Sequence, residues 1–261
     1  MTRIEQVFAT VKAQKRAAFI PFIMGYDPDL ETSRKIISAL PEAGADIIEI
    51  GMPFSEPMAD GVVIQAAGLR ALKAGANVAG VIELVRDFRK NNNKTPIILM
   101  GYFNPIYRYG TEKFCNDAVA AGVDGVIIVD LPPEEESEIR PYLTATNLNL
   151  IRLIAPTSGN ERISLLAASA SGFIYYISVA GITGDKSADN NSLKGQIENI
   201  RNHSKLPIAV GFGIKTRQQV QDISEFSDAV VVGSALVDTI HKADDKVAAA
   251  TSFISSLARK N

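Results

Sequence analysis

Eight short apolar runs recur along the chain, each separated from the next by a longer segment of helical character. They lie at 18–24 (AFIPFIM), 46–50 (DIIEI), 96–100 (PIILM), 125–129 (GVIIV), 150–155 (LIRLIA), 172–178 (GFIYYIS), 207–211 (PIAVG) and 229–233 (AVVVG). Most are continuous rather than alternating, the pattern of parallel strands covered on both faces by helices. Segments 30–44, 62–73, 78–90, 111–121, 134–143, 160–170, 192–201, 216–225 and 246–258 read as helices. Thr111 and Asn160 read as N-caps, with Glu112 and Glu161 in the first turns. The phrases AGAD (43–46) and AGVDG (121–125) read as a C-cap glycine running straight into a strand. Pro41 is expected to kink or end its helix. The polar stretch 185–193 reads as the longest loop.

Eight strand–helix units in 261 residues match a single (β/α)8 TIM barrel spanning 1–261, with an extra N-terminal helix. An eight-stranded doubly wound sheet is the competing fold, but no GxGxxG follows the first run. A formal charge of -2, from 27 basic and 29 acidic residues, supplies no global attraction to nucleic acid or anionic membrane. One cysteine, Cys115, and two histidines, His203 and His241, exclude an intrachain disulfide, a cysteine cage and a three-histidine metal site. Cys115 reads as a small buried hydrophobe and the histidines as surface residues. The N-terminal segment lacks the pattern of a secretion signal, and no stretch has the length and apolarity of a membrane span. A cytoplasmic protein with no nucleic-acid or membrane partner is the expectation.

In a barrel, chemistry sits at the C-terminal ends of the strands. Glu49 interrupts an apolar run there. Strand periodicity puts Glu49 with Ile47 on one face and Ile48 with Ile50 on the other. On the inner face a carboxyl is desolvated and its pKa rises into the useful range for acid–base work; on the outer face it would be a solvated or helix-paired charge. Asp60, in the long connection after the second run, is either a functional group on a catalytic-face loop or an Asp-Gly turn capping the helix at Val62. Tyr175 shares a face with Phe173 and Ile177, as core or as a site hydroxyl. The AGITG segment (180–184) and the polar stretch after it suit a mobile lid. Glycine turns GFGI (211–214) and VVGSAL (231–236), with a short helix after Gly233 and Ser234, suit a phosphate cradle or plain turns. Asp130 reads as a loop-organising carboxylate.

These motifs, joined to text at 19–28 and to IEIGMPFSEPMADGVVIQ (48–65), MGYFNPIYRYG (100–110) and YYISVAGITG (175–184), resemble the tryptophan synthase alpha subunit family along essentially the whole chain. The resemblance implies retro-aldol cleavage of indole-3-glycerol phosphate to indole and D-glyceraldehyde 3-phosphate. It implies Glu49 as the acid–base carboxylate and Asp60 as acceptor of the indole N–H. It also implies Tyr175 beside the glycerol segment, and Phe22, Met100, Ile127, Val129 and Leu153 around the indole. Gly184, Gly213, Gly233 and Ser234 would bind phosphate, Phe212 would pack over the substrate, and Thr183 would meet Asp60 on lid closure. No metal or cofactor is implied in this chain. Pyridoxal phosphate is expected in a beta subunit, within an alpha2-beta2 heterotetramer that channels indole. Segments 53–60, 102–109 and 131–135 match those that touch that partner. Glu56 replaces the family's usual Asp, Val62 a common Pro, and Val179 an Arg of some members. Two variants stay open beside the main reading: a free-standing indole-releasing lyase, and a barrel serving mainly to activate the beta subunit. Another phosphate-binding barrel, such as a sugar-phosphate isomerase or epimerase, is a separate alternative.

Overall fold

The computed structural model describes residues 1–177, 186–211 and 213–258. Its strands are β1 (Ala18–Met24), β2 (Ile48–Gly51), β3 (Ile97–Gly101), β4 (Gly125–Ile128), β5 (Asn149–Leu150), β6 (Arg152–Ile154), β7 (Ile174–Ile177), β8 (Ile208–Gly211) and β9 (Ala229–Val232). All neighbours are parallel, in the order β5-β4-β3-β2-β1-β9-β8-β7-β6. The two terminal strands of that order are the halves of the fifth apolar run, separated only by Ile151. The nine strands are therefore eight staves of a nearly closed barrel, as the recurrence of the runs predicts.

Helices surround it: α1 (Arg3–Ala13), α2 (Leu30–Ala43), α3 (Val62–Lys73), α4 (Val78–Arg89), α5 (Phe103–Tyr109), α6 (Thr111–Ala121), α7 (Arg140–Thr146), α8 (Asn160–Ser169), α9 (Lys186–His203), α10 (Arg217–Ser224), α11 (Ser234–Lys242) and α12 (Lys246–Ala258). Outward-facing Ile48 and Ile50 join the helix-packed layer, while Ile20, Ile47, Ile98, Ile127, Ile151 and Phe173 fill the interior. α1 closes the N-terminal end of the barrel by adding Ile4, Phe8 and Val11 to that interior. Its N-terminus is fixed by a capping box between Thr2 and Glu5.

Three expectations about local structure are corrected, and one helix was not foreseen. The stretch 185–193 is helical from Lys186 onward, because Ile197 and Ile200 are buried and Leu193 packs on the same core. Asn191, Ser192 and Lys194 are exposed on α9, off its packed side. Gly110 and Gly159, not Thr111 and Asn160, occupy the N-cap positions, so each expected cap is already the first helical residue. Pro41 does not end α2, which continues to Ala43 and stops at Gly44 with φ 121°. A helix, α5, occupies 103–109, which the apolar pattern did not reveal.

The phrases AGAD and AGVDG perform a second task beyond capping. Asp46 accepts the Phe19 N–H at 2.9 Å and returns its own N–H to the Phe19 carbonyl at 2.9 Å. Asp124 does the same to Ile97 (2.8 and 2.9 Å), and Asp228 to Ile208 (2.8 and 2.9 Å). Ser171 does it to Leu150 with its hydroxyl (2.8 and 2.9 Å). Each clamp joins an odd stave to the even stave that follows. Two of the acids are backed by buried or half-buried guanidinium groups: Arg16 chelates Asp46 at 2.6 and 2.7 Å, and Arg89 meets Asp124 at 2.7 Å.

Candidate active site

The opposite, C-terminal end of the staves gathers the titratable groups. Glu49 lies on β2 in register between Phe22 of β1 and Ile98 of β3. It is 1% exposed and shares its face with Ile47, as periodicity predicts; that face is the inner one, which the pattern alone left open. Its Oε2 atom is buried with no hydrogen-bond partner among the described residues. A carboxylate so placed loses hydration without compensation. Burial pushes the Glu49 carboxyl up to about 8, and the nearby charge of Asp60 adds to the rise. Glu49 is therefore a protonated acid at neutral pH.

Two glycines make room beside it. A Cβ at Gly51 would stand 2.7 Å from the tip of the Phe22 ring, and a Cβ at Gly211 would overlap the Tyr175 hydroxyl. Both aromatic rings consequently lie where side chains would otherwise point. Burial holds the Tyr175 proton well above its ordinary range, and the Glu49 charge adds to it. Met100, Val129, Leu153 and Tyr175 are partly buried against the interior cluster that contains Ile127. Leu153 and Tyr175 are register partners across β6 and β7. Phe22 and Met100 also border a second apolar cluster with Met24 and Val237.

Asp60 sits half-buried in the connection between β2 and α3. It does not cap α3: the N-cap is Gly61, without a side-chain bond. Its N–H donates to the Pro57 carbonyl at 3.0 Å, and its own carbonyl accepts from Gln65 Nε2 at 2.8 Å. Burial raises the Asp60 carboxyl, opposed by a hydrogen bond from Tyr102. Asp130 accepts the Phe103 N–H at 2.7 Å and so organises the start of α5, as expected. Tyr102 and Gln65 carry no signal in the apolar pattern. Tyr102's place directly after a strand end is the one clue to it.

The two glycine turns lie at the ends of neighbouring staves. Gly213 has φ 74°, a left-handed conformation suited to glycine. Gly233 is the N-cap of α11, makes no side-chain cap bond, and is followed by Ser234 as the first helical residue. The first-turn N–H groups of α11 therefore have no side-chain acceptor at the cap. A Cβ on Gly233 would lie 3.4 Å from the Phe22 Cβ, which places this turn next to Phe22 and, through it, to Glu49. Thr183, Gly184, Phe212 and Val179, with the AGITG segment expected to form a lid, lie outside the described residues. Among the described residues no three acidic, histidine or cysteine side chains are grouped to hold a metal ion. Likewise, no helix among them is long and apolar enough to cross a membrane.

A parallel eight-stave barrel with a buried acid on its second stave, facing another carboxylate on the next loop, belongs to the class of acid–base barrel enzymes. The comparisons make that class specific. Residues 8–260 match the family described as tryptophan synthase alpha chain, and the chain belongs to that family. It is a lyase of the alpha reaction of tryptophan biosynthesis, which cleaves indole-3-glycerol phosphate. It is similar to tryptophan synthase subunit alpha from Legionella pneumophila, with 40% identity over 99% of this chain and 97% of that one, at a TM-score of 0.92. A protein from Aquifex aeolicus shares 37% identity at a TM-score of 0.91, covering 99% and 98% of the two chains. Tryptophan synthase from M. tuberculosis, in an aminoacrylate-bound form, shares 31% identity at 0.89, with coverage of 99% and 98%.

Proposed function

We propose that Glu49 and Asp60 are the catalytic pair of the alpha reaction in this chain, and that residues 1–261 act as one barrel domain. The observation that carries the reading is the buried Glu49 carboxyl, held protonated at neutral pH beside a second carboxylate. In the forward direction Glu49 donates its proton to indole C3. The ring becomes a cation, and Asp60 stabilises it by accepting the indole N–H. The hydroxyl on the attached glycerol carbon loses its proton to the Glu49 carboxylate as its C–O bond becomes a carbonyl. The electron pair of the C3–glycerol bond returns to the ring and neutralises it. Indole and glyceraldehyde 3-phosphate leave, and Glu49 has regained its proton.

Tyr175 borders the glycerol segment. Phe22, Met100, Ile127, Val129 and Leu153 enclose the indole. Gly184, Gly213, Gly233 and Ser234 hold the phosphate through backbone N–H groups, with Phe212 over the substrate and Thr183 meeting Asp60. The uncapped first turn of α11 supports the phosphate assignment. No cofactor is needed in this chain.

The partner is the beta subunit, which would supply pyridoxal phosphate in an alpha2-beta2 heterotetramer in the cytoplasm. Met58 and Val62, each 80% exposed on the Asp60 loop and the start of α3, support a protein-covered rim there.

Indole release from indole-3-glycerol phosphate tests the reading. Glu49→Gln is expected to lower kcat roughly 10²- to 10⁴-fold with little change in KM, the ordinary contribution of a general acid. A Glu49→Gln enzyme with wild-type turnover would overturn it. Measuring the same rate with and without a beta subunit separates the assembled enzyme, which is strongly activated, from a free-standing lyase.

A further inference from the structure

Tyr102 directly follows β3 and precedes α5, and it is 3% exposed. Its hydroxyl accepts the Ala59 N–H at 3.0 Å and lies close enough to the neighbouring Asp60 carboxylate to hold that carboxyl's pKa down against burial. Its ring stacks in a tilted arrangement on Phe54, with centroids 5.6 Å apart. One side chain thus grips the connection between β2 and α3 at both ends, at Phe54 and at Ala59–Asp60. Tyr102 is itself fixed, because the next residue, Phe103, donates its N–H to Asp130 at the end of stave four.

The charges around Asp60 explain why that grip matters. Glu49 faces it from β2, and Asp130 lies near Tyr102 after β4. Among the described residues no lysine or arginine forms an ion pair with Asp60. Among the described residues the Tyr102 hydroxyl is the side-chain group that favours the ionised carboxylate against burial. Burial and the adjacent carboxylates push the Tyr102 hydroxyl up to about 12, so it remains a donor throughout the working pH range.

We propose that Tyr102 is a positioning residue: it holds the Asp60 loop against the barrel mouth and aims the Asp60 carboxylate across the site toward Glu49. The inference deepens the lyase reading, since the group it orients is the proposed acceptor of the indole N–H. Tyr102 would act through Asp60 and not on the substrate.

Tyr102→Phe removes the hydroxyl and keeps the ring on Phe54, so the fold is expected to survive; circular dichroism and thermal unfolding check that. Carbon-13 NMR of the aspartate carboxyls, with Asp60 assigned through Asp60→Asn, follows the titration directly. The expected result is an upward shift of the Asp60 pKa by about one unit. The acidic limb of the kcat profile should move in the same direction. At neutral pH kcat should fall roughly 10-fold with a smaller change in KM. An Asp60 titration identical in wild type and Tyr102→Phe would overturn the proposal. So would a loss of kcat by one constant factor at every pH. If the wild-type protein released no indole, the NMR titration would still decide the role of Tyr102, while the lyase reading alone would fail.

Discussion

A carboxyl group kept out of water on an inner strand face makes folding and catalysis pull in opposite directions at one residue. Unfolded, Glu49 titrates near its ordinary 4.5; folded, it titrates at about 8. Between those values the unfolded chain releases a proton that the folded chain retains, so stability falls as pH rises through the window. Glu49→Gln keeps the shape and removes the ionisation. It is expected to be more stable than wild type by a few kcal/mol at about pH 8, with the gap closing toward about pH 5. Urea unfolding at the two pH values measures this, and a gap independent of pH would contradict it. Turnover has the same origin: kcat should decline above about 8 as Glu49 loses the proton it must donate. That Glu49 shares a face with Ile47, opposite Ile48 and Ile50, was legible from the alternation; that this face is the inner one was not, because an outward carboxylate fits the same pattern. The two glycines that admit Phe22 and Tyr175 were not, because the space a missing side chain leaves depends on a neighbouring stave.

At the scale of elements, local pattern succeeded where the partner is near in sequence and failed where it is distant. The C-cap glycines of AGAD and AGVDG were readable, because a cap involves one turn of helix. The clamp made by the aspartate in each phrase was not, because its acceptor role is to Phe19 or Ile97, 27 residues earlier. The first part of α9 was misread as loop for a related reason, although 192–201 was read as helix. Its Asn, Asp and Ser content favours loops, and only the packing of Leu193, Ile197 and Ile200 on the core turns it into a helix.

The clamps predict unequal costs. Asp124→Ala leaves the largely buried Arg89 charge with only the Gly122, Asn92 and Thr95 carbonyls and no counter-charge, and leaves the Ile97 N–H without its acceptor, which should cost about 3 kcal/mol. Ser171→Ala removes a neutral acceptor alone and should cost about 1 kcal/mol. Denaturant midpoints at constant slope provide the comparison, and equal losses would refute the ranking.

For the molecule as a whole, the eight-fold recurrence of apolar runs narrowed the fold to a barrel or a doubly wound sheet, and the strand-end motifs pointed to the barrel and to its family. The clamps add an order within that barrel that the recurrence does not contain. Staves one and two, three and four, five and six, and seven and eight are joined in pairs by side chains at the N-terminal end. The chain can therefore be regarded as four cassettes laid side by side, and its tolerance of being cut should follow their borders. A break after Gly75, between α3 and α4, separates whole cassettes. A break after Gly110, between α5 and α6, divides the cassette that Asp124 holds together. Co-expressed fragments from the first break should reassemble into a soluble, indole-releasing complex more readily than those from the second. The barrel's closed outline would then conceal seams along which a polypeptide of this kind can be taken apart and rejoined.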